Sequence, residues 1–133
     1  AGKLPGGSPG RLRGPAWGRI KHMNKWSLTA LAREQLELAM GASSSRSAHT
    51  VYGGHEQVLR QTVIALTEGH TLDEHENPGE ATIHVLTGRV RLIVKDASWE
   101  GTSGDLLAVP DERHSLEALS DAFVLLTVAV LRR

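Results

Sequence analysis

The stretch GHTLDEHENPGEATIHVLTG, residues 69–88, decides the fold. It holds three of the seven histidines, four acidic residues and a Pro-Gly turn, followed by a strand-like run that ends at a glycine. Side chains that can bind a ligand therefore lie within twenty positions of a predicted buried strand. This combination indicates a functional site.

Outward from this stretch, the hydrophobic pattern has the period of strands. In RVRLIVK, residues 89–95, the even positions are apolar and form one face, while the basic residues share the other. Further strand-like segments, bounded by turn signals, are residues 48–52, 59–66, 81–86, 106–109, 114–119 and 122–131, with a short one around Trp99. Thr87 and Gly88 are predicted to join residues 81–86 and 89–95 into a hairpin. About eight strands favour an all-β sandwich or barrel.

Seven apolar residues recur inside these segments and are predicted to be buried: Val90, Leu92, Val94, Leu107, Val109, Val124 and Leu126. Ahead of the strands, Ser27 can cap a helix over residues 28–40, which Gly41 would end. This helix has a single apolar stripe, so we expect it to lie against a sheet or a partner subunit.

The first 22 residues contain six glycines, three prolines and five basic residues, with no acidic residue and no hydrophobic period. Such a composition cannot bury enough surface to offset its ordering entropy. Residues 1–22 are therefore predicted to be a flexible leader, appended before a natural start at Met23, or else a basic tail that tethers the chain to nucleic acid or anionic lipid. One domain is predicted over residues 23–133.

Composition excludes several classes of function. After the leader, 10 basic residues stand against 15 acidic ones, which argues against a nucleic-acid role. The absence of cysteine excludes disulfides, thiolate nucleophiles and cysteine-type zinc sites. No secretory signal, nucleophile elbow, Walker loop or dinucleotide fingerprint is visible, and residues 122–131 are too short to span a bilayer. We expect a cytoplasmic protein that binds neither nucleic acid nor membrane.

The spacing of five residues resembles the first cupin motif. Gly69, His75, Asn77, Ala81 and Gly88 occupy the positions where that family has glycine, histidine, histidine, glutamate and glycine. The resemblance to small RmlC-like cupins implies a double-stranded β-helix, or jelly-roll, of two antiparallel sheets with the helix N-terminal to it.

A second motif follows in the expected order. Gly104, Pro110 and His114 resemble the glycine, proline and histidine of the second cupin motif, with a gap between proline and histidine that is one residue shorter. The two motifs lie on adjacent strands in that family, so the resemblance implies that His75 and His114 converge inside the barrel.

Metal-binding cupins hold iron, manganese, nickel or zinc with three histidines and one glutamate. The resemblance assigns His75 and His114 to two of these ligands, whereas Asn77 replaces the third histidine and Ala81 replaces the glutamate. An amide oxygen is a weak ligand for such metals and a methyl group is none. The motif is therefore degenerate.

A neighbouring carboxylate could complete the set. Glu80 is adjacent to Ala81, although successive strand residues face opposite ways, while Glu74 and Glu76 flank His75. Two histidines with one carboxylate form a site that suits non-haem iron. The same acidic residues, with Asp73, could equally be a solvated turn or a general acid and base pair.

Two functions remain open. In the first, the protein binds a small molecule through His75, Asn77 and His114, with weak or absent metal binding. In the alternative, it is a metal-dependent oxygenase or isomerase that uses His75 and His114 as ligands, with Glu76 or Glu80 as the carboxylate. The cofactor of the enzyme is a divalent transition metal (Fe, Mn, Ni or Zn), whereas the small-molecule-binding protein holds such a metal weakly or has no cofactor.

A homodimer is expected by analogy with small cupins, through the helix stripe and the outward residues Leu86 and Ile93. His84 lies between Ile83 and Val85, so it should face outward and contribute to self-association rather than to a metal site. The histidines at positions 49, 55 and 70 carry no motif spacing. Asp111, Glu112 and Arg113 form an exposed turn before His114, where Arg113 could recognise an anionic ligand.

Overall fold

The computed structural model describes residues 25–75 and 79–130, and for Glu74 and His75 it describes the backbone alone. Within these ranges the chain forms one helix and nine strands. The helix is α1 (Leu28–Gly41), and the strands are β1 (Arg46–Tyr52), β2 (Leu59–Leu66), β3 (Thr71–His75), β4 (Gly79–Thr87), β5 (Arg89–Val94), β6 (Ala97–Thr102), β7 (Leu106–Val109), β8 (His114–Ala118) and β9 (Ala122–Val130). The predicted leader, Glu76 and Asn77 lie outside the described residues.

The described strands form two antiparallel sheets, one in the order β1-β2-β9-β4-β7 and the other in the order β3-β8-β5-β6. Apolar side chains from both sheets pack together between them and form the main core: Leu66, Ile83, Val85, Val90, Leu92, Val109, Leu116, Ala118, Ala122 and Val124. The architecture is the all-β jelly-roll with an N-terminal helix that the sequence predicts.

Strand β5 illustrates why the period predicts burial. Val90, Leu92 and Val94 are buried, whereas Arg89 is exposed, because successive residues of a strand face opposite sides of the sheet. The four other residues predicted to be in the core are also inside: two are buried, and Leu107 and Leu126 are partly buried against the main core.

The predicted hairpin at Thr87 and Gly88 is wrong. Strands β4 and β5 belong to different sheets, so the chain turns a corner between the sheets at Gly88. Gly88 has φ of 86°, and a Cβ there would overlap the backbone oxygen of Asp121 and lie 2.9 Å from Cα of Ala122. Glycine at position 88 therefore permits the chain to pass from one sheet to the other. The Thr-Gly turn signal marks a turn, but it does not specify that the turn closes a hairpin.

Strand β3 corrects a second expectation, since the acidic stretch before the Pro-Gly turn was expected to be loop. Residues 71–75 form an edge strand that pairs with β8. An edge strand has one unpaired side and tolerates charged residues such as Asp73, which is exposed. The polar composition of residues 71–75 is therefore compatible with a strand, although it gives no strand signal in the sequence.

Helix α1 begins where the sequence predicts. The Oγ of Ser27 accepts a hydrogen bond from the backbone N–H of Ala30 at 3.2 Å, which satisfies a donor that the first turn leaves free. The helix continues through Gly41, one residue further than expected, and the backbone N–H of Ala42 donates to the carbonyl of Ala39 at 3.2 Å. No helix in the described ranges is long and apolar enough to cross a bilayer.

The apolar stripe of α1 packs on the outer face of the five-stranded sheet. Leu31 and Ala39 form a second buried cluster with Val63, Ala65 and Phe123. Leu86 is partly buried against the same cluster, so the helix stripe and Leu86 are used within the chain. Two components of the surface expected to support a homodimer therefore have intramolecular partners, and the homodimer itself stays a prediction.

Candidate functional site

His114 stands at the start of β8, and only 4% of its surface is exposed. Its Nδ1 lies 2.9 Å from the backbone oxygen of Glu112. A carbonyl oxygen can only accept, so Nδ1 carries a proton and donates it to Glu112. This hydrogen bond fixes the orientation of the imidazole ring, with Nε2 at its other edge.

The turn that carries this carbonyl is tied to the neighbouring β5–β6 connection. The Nζ of Lys95 lies 3.1 Å from the Glu112 carboxylate, and both side chains are substantially exposed. Such a surface pair contributes little to stability. Asp111, Glu112 and Arg113 are exposed, as expected of this segment.

The backbone register brings the two motif histidines opposite each other. His75 of β3 is the Cα partner of His114 of β8, across 39 positions of sequence. Leu72 is the partner of Leu116, so three steps along β3 match two along β8, and one extra residue forms a bulge. Positions 72 and 75 therefore both oppose inward-facing residues of β8, despite their odd spacing.

Strand β4 supplies the position at which the family motif has a glutamate. Ala81 is packed against the main core, on the same face as Ile83 and Val85. Glu80 is exposed on the opposite face of β4, so its carboxylate does not face the barrel interior where a metal ligand would lie. His84 is half-buried on that outer face too, in agreement with the predicted alternation.

A small cavity lies between the two sheets beside His114. Its volume is about 50 Å³. Among the described residues, six aliphatic side chains and one imidazole line it: Ile64, Leu72, Ile83, Leu116, Val124, Leu126 and His114. The site is therefore an apolar chamber with one described polar edge.

The fold has close counterparts among solved structures. A conserved protein of unknown function from Streptococcus pyogenes superposes with a TM-score of 0.64 at 21% identity, over 86% of this chain and 93% of that one. An RmlC-like cupin protein from Desulfovibrio desulfuricans gives 0.56 at 25% identity, over 63% and 81%. A cupin superfamily protein from Desulfitobacterium hafniense gives 0.59 at 15%, over 65% and 78%.

The fold is that of a small cupin domain. No family model matches the sequence, and no curated protein matches it.

The described residues of this cupin domain do not fit the full metal set of three histidines and one glutamate. Among residues 25–75 and 79–130, no described group of three or more histidine, aspartate or glutamate side chains could hold a metal ion. At the glutamate position stands the methyl group of Ala81, packed on the core. His114 is the donor that the described part of the site provides.

Several residues of the site were missed at the level of sequence. Ile64, Leu72 and Leu116 line the cavity, and the Glu112 carbonyl accepts the hydrogen bond that orients His114. The apolar run at the end of β2 and the alternation in β8 carried a signal for burial, but nothing local distinguishes a cavity wall from solid core. The carbonyl contact depends on the turn conformation.

The histidines at positions 49, 55 and 70 lie away from the cavity beside His114. His70 is exposed in the turn before β3, with Nδ1 3.1 Å from Thr67 Oγ1. The ring of His49 in β1 meets the ring of Trp26 edge to face, with centroids 5.1 Å apart. His55 is exposed. None of the three lines the cavity beside His114.

Proposed function

We propose that this cupin domain binds a small molecule in its barrel, at His114 and His75 with Asn77 beside them, and that its metal binding is weak or absent. The observation that carries the proposal is the buried His114, which lines a cavity whose other described lining residues are aliphatic. A buried polar group that faces apolar walls in a cleft is a typical ligand-binding arrangement.

The register of β3 and β8 supports the participation of His75. Positions paired across antiparallel strands lie on one face of the sheet, with Cβ atoms roughly 4.5–5.5 Å apart. Since His75 is paired with His114, the bulge in β3 favours a shared site for the two histidines. Asn77 follows His75 by two residues and joins the proposal through the motif spacing.

The small number of suitable side-chain ligands predicts weak metal binding. A first-row transition metal needs about three protein ligands for tight binding in ordinary sites, and carboxylates are among the preferred ones. The motif position for the carboxylate is Ala81, and the adjacent Glu80 is exposed on the other face of β4. A pair of histidines alone would hold a divalent ion loosely.

The second candidate is a metal-dependent oxygenase or isomerase. The pairing of His75 with His114 favours it, because two imidazoles on one sheet face can form part of a ligand set. Glu76 would then supply the carboxylate of a two-histidine-one-carboxylate site for iron, manganese, nickel or zinc. When bound, such a metal would supply Lewis-acid or redox chemistry, and His114 would hold it through Nε2.

The discriminating experiment restores the missing carboxylate. We expect Ala81→Glu to strengthen the binding of Mn²⁺ or Zn²⁺ at least about tenfold, since a carboxylate beside two imidazoles completes a common ligand set. Isothermal titration calorimetry on folded protein measures the change.

Thr82→Glu is the matched control, because it adds the same charge one residue along β4, on the opposite face. We expect it to leave the affinity unchanged. Equal affinity in wild type and Ala81→Glu would mean that the motif is aligned incorrectly or that the barrel has lost the geometry for metal. Tight binding by wild type would favour the enzyme.

A further inference from the structure

A second pocket lies on the outer face of the four-stranded sheet, where β6 leads into β7. Its volume is about 310 Å³, against about 50 Å³ for the cavity beside His114. A volume of this size is in the range of small-molecule sites. The described residues that line the pocket are mostly charged or polar: Arg89, Glu100, Gly101, Thr102 and Asp105.

Asp105 stands in the turn after β6, and its carboxylate is held in a fixed position. Its backbone N–H donates to the carbonyl of Thr102 at 2.9 Å, and its backbone carbonyl accepts from the N–H of Val85 at 2.9 Å. The Oδ2 of Asp105 accepts from the backbone N–H of Thr102 at 2.8 Å, and among the described residues nothing donates to Oδ1. The pocket therefore holds a preorganised, negatively charged acceptor.

Arg89, at the start of β5, brings a cation to the same pocket. Its backbone is fixed by Ser120, whose Oγ accepts from the Arg89 N–H at 3.0 Å. Its guanidinium group lies 3.7 Å from Oε1 of Glu100, which is too far for a hydrogen bond. The other oxygen of Glu100 accepts from Arg91 at 2.9 Å. Among the described residues, no acceptor therefore takes the guanidinium donors of Arg89.

Thr102 lies between these two charges. It is the Cα partner of Arg89 across β5 and β6, and its backbone binds Asp105. Paired residues of neighbouring strands share a face, with Cβ atoms roughly 4.5–5.5 Å apart. The pocket therefore presents a cationic donor, a hydroxyl group and an anionic acceptor in that order.

This order matches a ligand that carries both charges. A carboxylate can accept from the planar guanidinium group of Arg89, and an ammonium group can donate to Oδ1 of Asp105. A cavity of about 150 Å³ accommodates the six non-hydrogen atoms of benzene, so about 310 Å³ admits roughly twelve. A small or medium-sized zwitterion fits.

We propose that this pocket binds a free α-amino acid as its zwitterion, with the carboxylate at Arg89 and the ammonium group at Asp105. The side chain of Arg89 is 56% exposed, and solvent weakens each ionic contact, so the dissociation constant is in the millimolar range by order of magnitude. The pocket is separate from the site at His114, and the proposal does not depend on the proposed function.

Three related probes separate the two charges. L-Alanine carries both, propanoate lacks the ammonium group and ethylamine lacks the carboxylate. Each is titrated at constant ionic strength into ¹⁵N-labelled full-length protein, and NMR follows the backbone amide signals of Gly101 and Thr102. We expect L-alanine to shift both signals saturably, with half-saturation at a concentration about threefold or more below that of either other probe. The amide of Ile64, at the cavity beside His114, should not move.

Two substitutions test the two ends of the ligand. Asp105→Asn keeps an oxygen for the Thr102 N–H but removes the charge, and Arg89→Gln removes the guanidinium group. Each should raise the half-saturation concentration of L-alanine at least about threefold. The matched controls are Asp96→Asn, in the exposed turn at the opposite end of β5 and β6, and Arg60→Gln on β2. Both should bind as wild type does.

The outcomes separate the ligand class from the site. If propanoate or ethylamine binds as tightly as L-alanine, the zwitterion is wrong and the pocket takes a single charge. If no probe moves Gly101 and Thr102 saturably, or if a variant that unfolds cooperatively binds L-alanine undiminished, the site is wrong. Asp105→Asn and Arg89→Gln test it independently, so one folded variant suffices. None of these results bears on the Ala81→Glu experiment, which tests the proposed function.

Discussion

At the scale of single residues, two glycines with nearly the same positive φ have different surroundings. Gly88 has φ of 86° and Gly69 has φ of 85°. A Cβ on Gly88 would overlap the backbone of Asp121, whereas a Cβ on Gly69 would meet nothing within 4 Å. The pair therefore separates the cost of the left-handed conformation from the cost of steric overlap.

We expect Gly69→Ala to lower the free energy of unfolding by about 1 kcal/mol, since an L-residue in this region costs roughly that much. Gly88→Ala should cost about 3 kcal/mol or more, because the corner between the sheets must also move. Urea denaturation of both variants measures the difference. Equal losses would show that the corner at Gly88 relaxes freely.

At the scale of elements, ion pairs on the outer face of the four-stranded sheet link three of its strands. Arg91 of β5 lies 2.9 Å from the Glu100 carboxylate on β6 and 3.4 Å from the Glu117 carboxylate on β8. The hydrogen bond with Arg91 lowers the pKa of Glu100 below its ordinary value, and the same bond raises the pKa of Arg91. One guanidinium group thus connects three strands.

This arrangement predicts an acid-dependent contribution to stability. Because the pKa of Glu100 is lowered in the folded protein, the contribution is present above the ordinary value of 4.5 and is lost as the pH falls through the lowered value. We expect Arg91→Gln to reduce the melting temperature modestly near pH 6, with a smaller reduction near pH 3, since exposed pairs contribute little. Arg60→Gln, an exposed residue of β2, is the control. A difference between wild type and Arg91→Gln that grows in acid would contradict the assignment.

At the scale of the whole molecule, the five-stranded sheet is covered on its inner face and on part of its outer face. Its inner face packs on the four-stranded sheet and contributes to the cavity, and its outer face carries α1 over β1, β2 and β9. The outer positions of β4 and β7 lie beyond this cover, where Leu106 is 65% exposed and is the Cα partner of His84.

The homodimer remains a prediction, and His84 gives it a test. We expect sedimentation velocity to show a species of twice the 14.4 kDa chain mass. His84→Gln should weaken self-association, since His84 stands beside the exposed Leu106, and should leave any ligand or metal binding unchanged. Loss of metal or ligand binding in His84→Gln, with the dimer intact, would instead place His84 at the site.

Local patterns determined much of the fold. Residues 59–66 were predicted as a strand from their β-branched composition and are β2, Leu59–Leu66. The alternation in residues 89–95 identified the buried face of β5, and Ser27 identified the start of α1. These features succeed because the period of a strand, the period of a helix and a cap are all properties of neighbouring residues.

Only the tertiary structure decided which strands pair. Gly88 is a turn in either case, but it joins two sheets rather than two strands of one hairpin, because β4 pairs with β7 and β9. The strand β3 and its bulge depend on β8, and together they set His75 opposite His114. Periodicity tells which face of a strand is buried, but the partner across that face is chosen by contacts between residues far apart in sequence, and no local pattern contains them.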